Sequence, residues 1–536
     1  MSSSHPAPLH ESTLRSLIVS AGVLPSSIVA LLNTYGRSRV FNTFTRGIVK
    51  GTLIVVDDDG TYSFGQPASK ETSPIVTMHI HNPCVWTRII LSSDLGVAEA
   101  YMQGEFTVSS LKDLLNLWLE NRTTLSGLSS ILSSFFSRCS ALAINALGHQ
   151  ALGNGMSRWN VEVAYDTSNA LFECFLSKEM MYSCAIWGEE EGGVRGDLVS
   201  GPRPGDLEAA QQRKIATILA KARVRPGDRL LEFGSGWGPM AIGAAKLGCI
   251  VDTVTLSREQ RAMTERRAAE AGVADRVRVH LCDYRELPPE FEHAFDALVA
   301  SEMVEAVGPR NLNTFFRTLD WALKRERATV VLTATSQPEH RWSEYQPDDF
   351  ARHYHWPNTH LPSPLSIANA AQEATPGKWV LHNLEDHGIH YPRTLREWGR
   401  RFEANFKDAV VAELQERYPQ LRDAGALEAF KRKWRYMFTY AEVGYARAYT
   451  NLNCWTFTRP YVRGCRGQWL AIVHAGHPKR CTYVICAYLK TPGAKISECR
   501  LGGECGAGAA TSLPDVEALH FQFRMRSARG RRVRHF

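Results

Sequence analysis

Arg229-Leu230-Leu231-Glu232-Phe233-Gly234-Ser235-Gly236-Trp237-Gly238 is the stretch that decides the fold. Apolar residues run into an acid, three glycines come next at alternate positions, and a helical pattern then extends over residues 239–247. This reads as a buried strand, a tight turn and a helix start. Glycine is needed where the backbone takes positive φ or comes close to a ligand, and the free amides of a helix N-terminus form a polar cradle. The turn alone is shared with dinucleotide enzymes, so the segments after it must separate the readings.

A second apolar segment, residues 249–254, runs into Thr255-Leu256-Ser257-Arg258-Glu259-Gln260. Thr255 therefore stands where a dinucleotide fold places the acid that grips the ribose. Asp252, three residues earlier, points to the opposite face of the strand. Residues 277–281 end in Cys282-Asp283-Tyr284-Arg285, residues 295–300 lead into Ser301-Glu302-Met303-Val304-Glu305-Ala306-Val307-Gly308, and residues 328–334 come after a helix over 311–323. Strands alternating with helices imply a mostly parallel sheet covered on both faces, with its site at the strand carboxyl ends.

This ordered series, together with Tyr182-Ser183-Cys184-Ala185-Ile186-Trp187 and the spaced set His390-Tyr391, Thr394-Leu395 and Trp398, resembles the cyclopropane-fatty-acyl-phospholipid synthases and mycolic acid cyclopropane synthases, which are S-adenosylmethionine-dependent methyltransferases. The resemblance covers roughly residues 85–460. It implies a Rossmann-like class I methyltransferase, an α/β fold with a seven-stranded, mostly parallel sheet, over residues 161–460. It also implies a small N-terminal α+β domain over 1–120 that faces lipid, carried by Asp94-Leu95-Gly96 through Gly104-Glu105. An ordinary α+β domain with a plain core fits those residues equally. In the N-terminal part, residues 48–56 and 61–64 around Asp57-Asp58-Asp59-Gly60 read as a hairpin. Residues 75–81 and 85–91 read as further strands, and 110–120 as helical.

The reaction implied is methyl transfer from S-adenosylmethionine to the cis double bond of a phospholipid acyl chain, with loss of a proton closing a cyclopropane ring. By the same resemblance, Glu232, Gly234, Gly236 and Gly238 hold the amino-acid part of the donor, and Tyr182 and Ser183 close over it. Thr255, Ser257 and Gln260 reach its ribose or adenine side, and Asp283 and Tyr284 lie by the adenine. Read as residues alone, the glycines are a bare turn and Gln260 a solvated helix residue.

The family's bicarbonate base would be cradled by the Cys184 backbone, Glu305, a strand histidine and a late-helix tyrosine. Cys184 and Glu305 match that pattern. The histidine after Glu305 is Ala306, the strand histidine aligns with Thr333, and the late tyrosine falls near Met437 with Tyr436 beside it. Bicarbonate binding stays open on this showing. Cys184 as a small buried apolar group and Glu305 as a helix N-terminal acid are the plain alternatives.

Apolar content of 44% with 22% charged residues is that of a globular protein. No run of apolar residues is long enough to span a bilayer, and the N-terminus lacks a secretory layout. Residues 121–160, rich in Ser, Leu and Gly, read as a linker. The twelve cysteines lack metal-ligand spacing and read as reduced thiols, so no metal is expected. The net charge of +7 is misleading: residues 461–536 hold 13 basic and 4 acidic residues, against 49 and 51 before them. Nucleic acid is thus a poor partner for the folded part. The basic tail is expected to be poorly ordered.

The partner expected is an unsaturated phospholipid, met by a cytoplasmic protein through peripheral membrane contact; a homodimer stays open. Competing readings are a methylene or methyl-branched product, a small-molecule N- or O-methyltransferase, and an inactive lipid-binding homologue.

Overall fold

Among the residues described by the computed structural model (26–65, 75–125 and 168–460), the strands form two sheets. These residues all belong to one unit spanning Met1–Arg466. The tail 461–536, nearly all of the expected linker, and residues 164–167 lie outside the described set.

The larger sheet has seven strands: β5 (Arg229–Phe233), β6 (Ile250–Thr255), β7 (Val277–Leu281), β8 (Ala297–Ser301), β9 (Thr329–Ser336), β10 (Val380–Asp386) and β11 (Asn451–Thr458). Their order is β10-β11-β9-β8-β5-β6-β7. The β5/β6, β6/β7, β5/β8 and β8/β9 pairs are parallel, and β11 runs against both of its neighbours. One reversed strand in an otherwise parallel sheet is the expected class I methyltransferase arrangement. The chain leaves β5 toward β6 and β7, then returns to lay β8 on the other side. That reversal opens a crevice beyond the carboxyl ends of β5 and β8, where a ligand belongs in such sheets. Leu230, Leu231, Leu298, Val330 and Val331 are fully buried between helix layers, which is why these strands read as continuous apolar runs.

The smaller sheet, ordered β2-β1-β3-β4, joins β1 (Thr52–Asp57), β2 (Gly60–Gly65), β3 (Ile75–Ile80) and β4 (Phe106–Val108). The expected hairpin is present as the antiparallel β1/β2 pair. The expected strand at 85–91 is instead a helix, Cys84–Ser92. Its run of apolar and β-branched residues fits either state by periodicity. Two local features favour the helix: Pro83 precedes it, and the Asn82 side chain accepts from the Cys84 amide at 2.9 Å. Packing then completes the choice, since Val85, Trp86 and Ile89 are buried against the Ser26–Gly47 helix and the small sheet.

Polar contacts tie the elements around this sheet to one another and to the remainder of the unit. Arg88 Nε lies 2.9 Å from Glu105, and Glu99 accepts from the Tyr354 hydroxyl at 3.1 Å. Glu442 on the long Ala424–Ala446 helix takes Lys112 at 2.6 Å and Arg396 at 3.2 Å. Gly96 lets the Asp94–Met102 helix touch the preceding one: a Cβ there would sit 2.1 Å from the Arg88 carbonyl oxygen. Gly96→Ala is therefore expected to destabilise the protein by about 1–3 kcal/mol through overpacking. Denaturant unfolding of the variant checks this; an unchanged midpoint would mean that the two helices part freely.

Candidate active site

The turn after β5 is built as its glycines suggest. Gly234, Gly236 and Gly238 have φ of +88°, +50° and +86°. At Gly236 a Cβ would meet nothing within 4 Å, so the backbone borders open space, whereas at Gly238 it would strike Thr264 at 2.7 Å. Gly234 and Gly236 therefore face a cavity and Gly238 is a packing glycine. The cavity, about 440 Å³, lies over the carboxyl ends of the strands.

Tyr182, Ser183, Glu232, Gly234, Gly236, Thr255, Gln260, Asp283, Tyr284 and Glu305 all border this cavity. Thr255 donates to Gln260 Oε1 at 2.8 Å, which leaves the Gln260 carboxamide N–H groups for a ligand. Asp283 is tied to Arg285, whose Nε lies 2.8 Å away and terminal nitrogen 2.7 Å away. Ser257 is not brought to the cavity. Its hydroxyl accepts from the Gln260 amide at 3.2 Å and caps the Arg258–Glu270 helix.

Two of the three expected catalytic residues, Cys184 through its backbone and Tyr436 through its side chain, do not border the cavity. The Cys184 thiol is buried against the Ala185 carbonyl, and burial pushes it well above the usual thiol range. Tyr436 packs on Tyr101 and Phe350, with centroids 5.7 and 4.5 Å away. On the same helix it is Met437, Tyr440, Ala441, Gly444 and Tyr445 that line the cavity, one stripe at helical spacing. Trp434 and Phe438 go instead to the core around Phe175 and Phe402.

The sequence motifs clasp one another across some 200 residues of chain. The Trp187 amide donates to His390 Nδ1 and its indole to Thr394 Oγ1, each at 3.1 Å. The Ala185 amide also donates to Thr394 Oγ1, at 3.2 Å, and Tyr182 packs on Trp398 at 5.2 Å. The clasp holds the 182–187 segment over the turn. Trp356, Pro357 and Leu361, from the segment after β9, close a further wall.

Inside the clasp is a set that the motifs do not single out. Glu302, just beyond β8, accepts the Cys184 amide at 3.0 Å and the Tyr391 hydroxyl at 2.5 Å, with Lys214 Nζ 3.6 Å away. Lys214 also donates to Ser183 Oγ. The Tyr391 ring stacks on Tyr445 at 4.1 Å. Tyr445 bonds Thr335 Oγ1 at 2.7 Å, and the Thr335 amide donates to Glu305 Oε1 at 2.6 Å. A belt of side chains thus joins the two carboxylates. The available signal was position: an acid directly after the strand beside the switch point. Thr333 turns instead to Ser301 Oγ at 3.2 Å and does not line the cavity.

A family model described as mycolic acid cyclopropane synthetase matches residues 155–453. The chain belongs to that family. It is 31% identical over 407 residues to a tuberculostearic acid methyltransferase of Mycobacterium tuberculosis, covering 74% of this chain and 87% of that one. It is 30% identical over 365 residues to the cyclopropane-fatty-acyl-phospholipid synthase of Escherichia coli, covering 68% and 81%. A solved coclaurine N-methyltransferase shares the fold with a TM-score of 0.51 at 15% identity, over 68% of this chain and 99% of that one. Membership makes this chain an S-adenosylmethionine-dependent methyltransferase.

The cavity suits that donor. Glu232 is 3% exposed and its Oε2 has no partner among the described residues. Such a buried oxygen calls for a donor or a cation, and S-adenosylmethionine brings a sulfonium and an ammonium.

Without a ligand, burial pushes Glu232 up to about 8. Burial, then the charge of Glu302, pushes Glu305 up to about 8 as well. Both lie above the unfolded value of about 4.3, so the folded state keeps protons that the unfolded chain releases. Their stabilisation is full below that value and is lost as pH rises through about 8. Ligand-free protein is thus expected to lose stability from about pH 5 to about pH 8, with a shallower loss in Glu232→Gln. Denaturant melts at the two pH values measure it; an unaltered slope in the variant would show that Glu232 is ionised when buried.

Proposed function

We propose that the protein transfers a methyl group from S-adenosylmethionine to the cis double bond of an unsaturated phospholipid acyl chain, closing a cyclopropane ring. The supporting observation is the continuity of the cavity. It runs from the glycine turn past Glu302 and Glu305 to the apolar stripe of the Ala424–Ala446 helix, and on to Leu115, Trp118 and Leu119 of the Leu111–Glu120 helix. Its lining is mostly apolar and aromatic, with several carboxylates among it. The predominance of apolar lining suits a hydrocarbon chain better than it suits a small polar amine or alcohol, and the carboxylates suit a cationic reactant.

S-adenosylmethionine supplies an electrophilic methyl on sulfur. The protein's residues do the remainder. Gly234 and Gly236 allow close approach of the backbone, Glu232 compensates positive charge, and Gln260 and Asp283 orient the polar end. Tyr182, Trp356 and Trp398 exclude water, so that a weak π nucleophile meets the electrophile in the right geometry. The domain with the smaller sheet is the lipid-facing part in this reading: its Leu111–Glu120 helix brings Leu115, Trp118 and Leu119 to the cavity. Among the described residues no helix is long and apolar enough to cross a membrane, so lipid would be reached by peripheral contact.

A methylene or methyl-branched product is the second reading, favoured by the bicarbonate pattern. The Cys184 amide is taken by Glu302, and Ala306 and Thr333 stand at expected histidine positions. The similarity to a tuberculostearic acid methyltransferase points the same way.

Incubation with vesicles of a monounsaturated phospholipid and donor carrying a labelled methyl is expected to place label in the acyl chain, with the added carbon in a ring by mass spectrometry. Label confined to a head group, or to a small amine added as competitor, would overturn the proposal. A chain-blocking variant tests the route. Ala441→Trp is expected to cut acyl methylation by about tenfold or more while S-adenosylhomocysteine binds as before. Equal rates would place the hydrocarbon elsewhere.

A further inference from the structure

The reaction proposed above requires that a proton leave the methylated chain, and the cavity wall presents one carboxylate equipped to take it. Glu302 comes directly after β8, with a φ of +53° that a non-glycine residue keeps only when its surroundings hold it. Here they do: its amide donates to the Thr333 carbonyl at 2.7 Å, and its side chain, 9% exposed, is held by Cys184, Tyr391 and Lys214.

We propose that Glu302 is a catalytic residue, the base that removes the proton of the transferred methyl group; this rests on the lipid-methylation reading. The C–H bond of that methyl breaks, and its electron pair forms the closing C–C bond to the cationic carbon of the chain. The proton becomes the O–H of Glu302 and later passes to solvent.

Four observations carry the assignment. First, Glu302 borders the same cavity as the glycine turn and the apolar stripe. Second, an ionised carboxylate has about four acceptor positions, and the two hydrogen bonds it accepts leave capacity toward the cavity. Third, Lys214 compensates its charge, whereas Glu305 has no cation partner among the described residues and is pushed up to about 8, so that near neutral pH it holds a proton of its own. Fourth, the Cys184 amide that a bound bicarbonate would need already donates to Glu302. A C–H bond beside a cationic carbon is strongly acidic, so its base need not be a strong one. What it requires is position, and the Cys184, Tyr391 and Lys214 contacts supply that.

The test uses the full chain with donor and monounsaturated phospholipid vesicles. Wild type is expected to keep its rate when bicarbonate and dissolved carbon dioxide are removed. Glu302→Gln keeps the shape and an acceptor for the Cys184 amide. It is expected to lower kcat by about 100-fold or more, while S-adenosylhomocysteine affinity by calorimetry stays within about twofold. Glu302→Ala is expected to regain part of its rate with added formate, which a merely structural role would not produce. A wild type that stops without bicarbonate, or a Glu302→Gln that turns over normally, would overturn the assignment. Should either variant fail to fold, the bicarbonate arm on wild type still decides. A wild type that methylates no acyl chain under any condition refutes instead the lipid reading on which this rests.

Discussion

Three of the carboxylates that border the cavity set the terms for everything around them. Glu232, Glu302 and Glu305 border the same space, and a low-dielectric wall does not tolerate uncompensated like charges. The structure answers each case differently. Glu302 receives an amide, a phenol and an ammonium. Glu305 receives the Thr335 amide on one oxygen, has no partner among the described residues on the other, and is pushed up to about 8. Glu232 has an oxygen without a partner among the described residues and is pushed up by burial as well. One group is thus held by three partners, one is pushed toward its neutral form, and one keeps an oxygen for a ligand. Neighbouring acids with environments that separate them are how a single site divides its roles.

The clasp of the 182–187 segment onto the head of the Tyr391–Asn405 helix arises from the same constraint. Compensating Glu302 needs a backbone amide from one part of the chain and a phenol from another, both immobile. Trp187 and Ala185 bonded to His390 and Thr394 bring those two parts together. Lys214, on the Asp206–Ala222 helix, bonds Ser183 within the same segment. Residues that touch no ligand are in this way needed to orient the ones that do.

What the sequence made legible was the part governed by short-range rules. The strand-turn-helix at Glu232–Pro239, the alternation of strand and helix, and the hairpin at Asp57–Gly60 all come from local spacing and turn chemistry. The segment 85–91 was not legible, because its apolar run is compatible with strand or helix until the small sheet and the Ser26–Gly47 helix pack on it. Tyr436 lies one helical position away from the stripe it was expected to join. An aromatic helix with several tyrosines shows its periodicity but not which stripe faces inward, and here Tyr440 and Tyr445, not Tyr436, border the cavity. Glu302 reads from sequence only as a strand terminus. Its partners lie 118, 89 and 88 positions away at Cys184, Tyr391 and Lys214, a separation that no local pattern bridges.

The junction between the two sheets completes the logic of the cavity. A methyltransferase sheet with its glycine turn can hold a nucleoside, but the walls it provides are polar at the strand ends. The apolar walls come from elements added around that crevice: the Ala424–Ala446 helix, the Trp356–Leu361 segment and the Leu111–Glu120 helix. Those walls must stay registered to the strand ends, because a reactant displaced by an ångström no longer lies in line with the methyl donor. Buried charge pairs suit that purpose: removing one partner leaves the other uncompensated, so they penalise displacement more than an apolar contact does. Glu442 joining Arg396, and Glu99 joining Tyr354 while facing Arg88 at 3.6 Å, are buried and lie at this junction, with Lys112 reaching Glu442 from a more exposed position. The ion pairs are therefore read as fixing the register of the walls, while the stability of the junction rests on the apolar surface they surround.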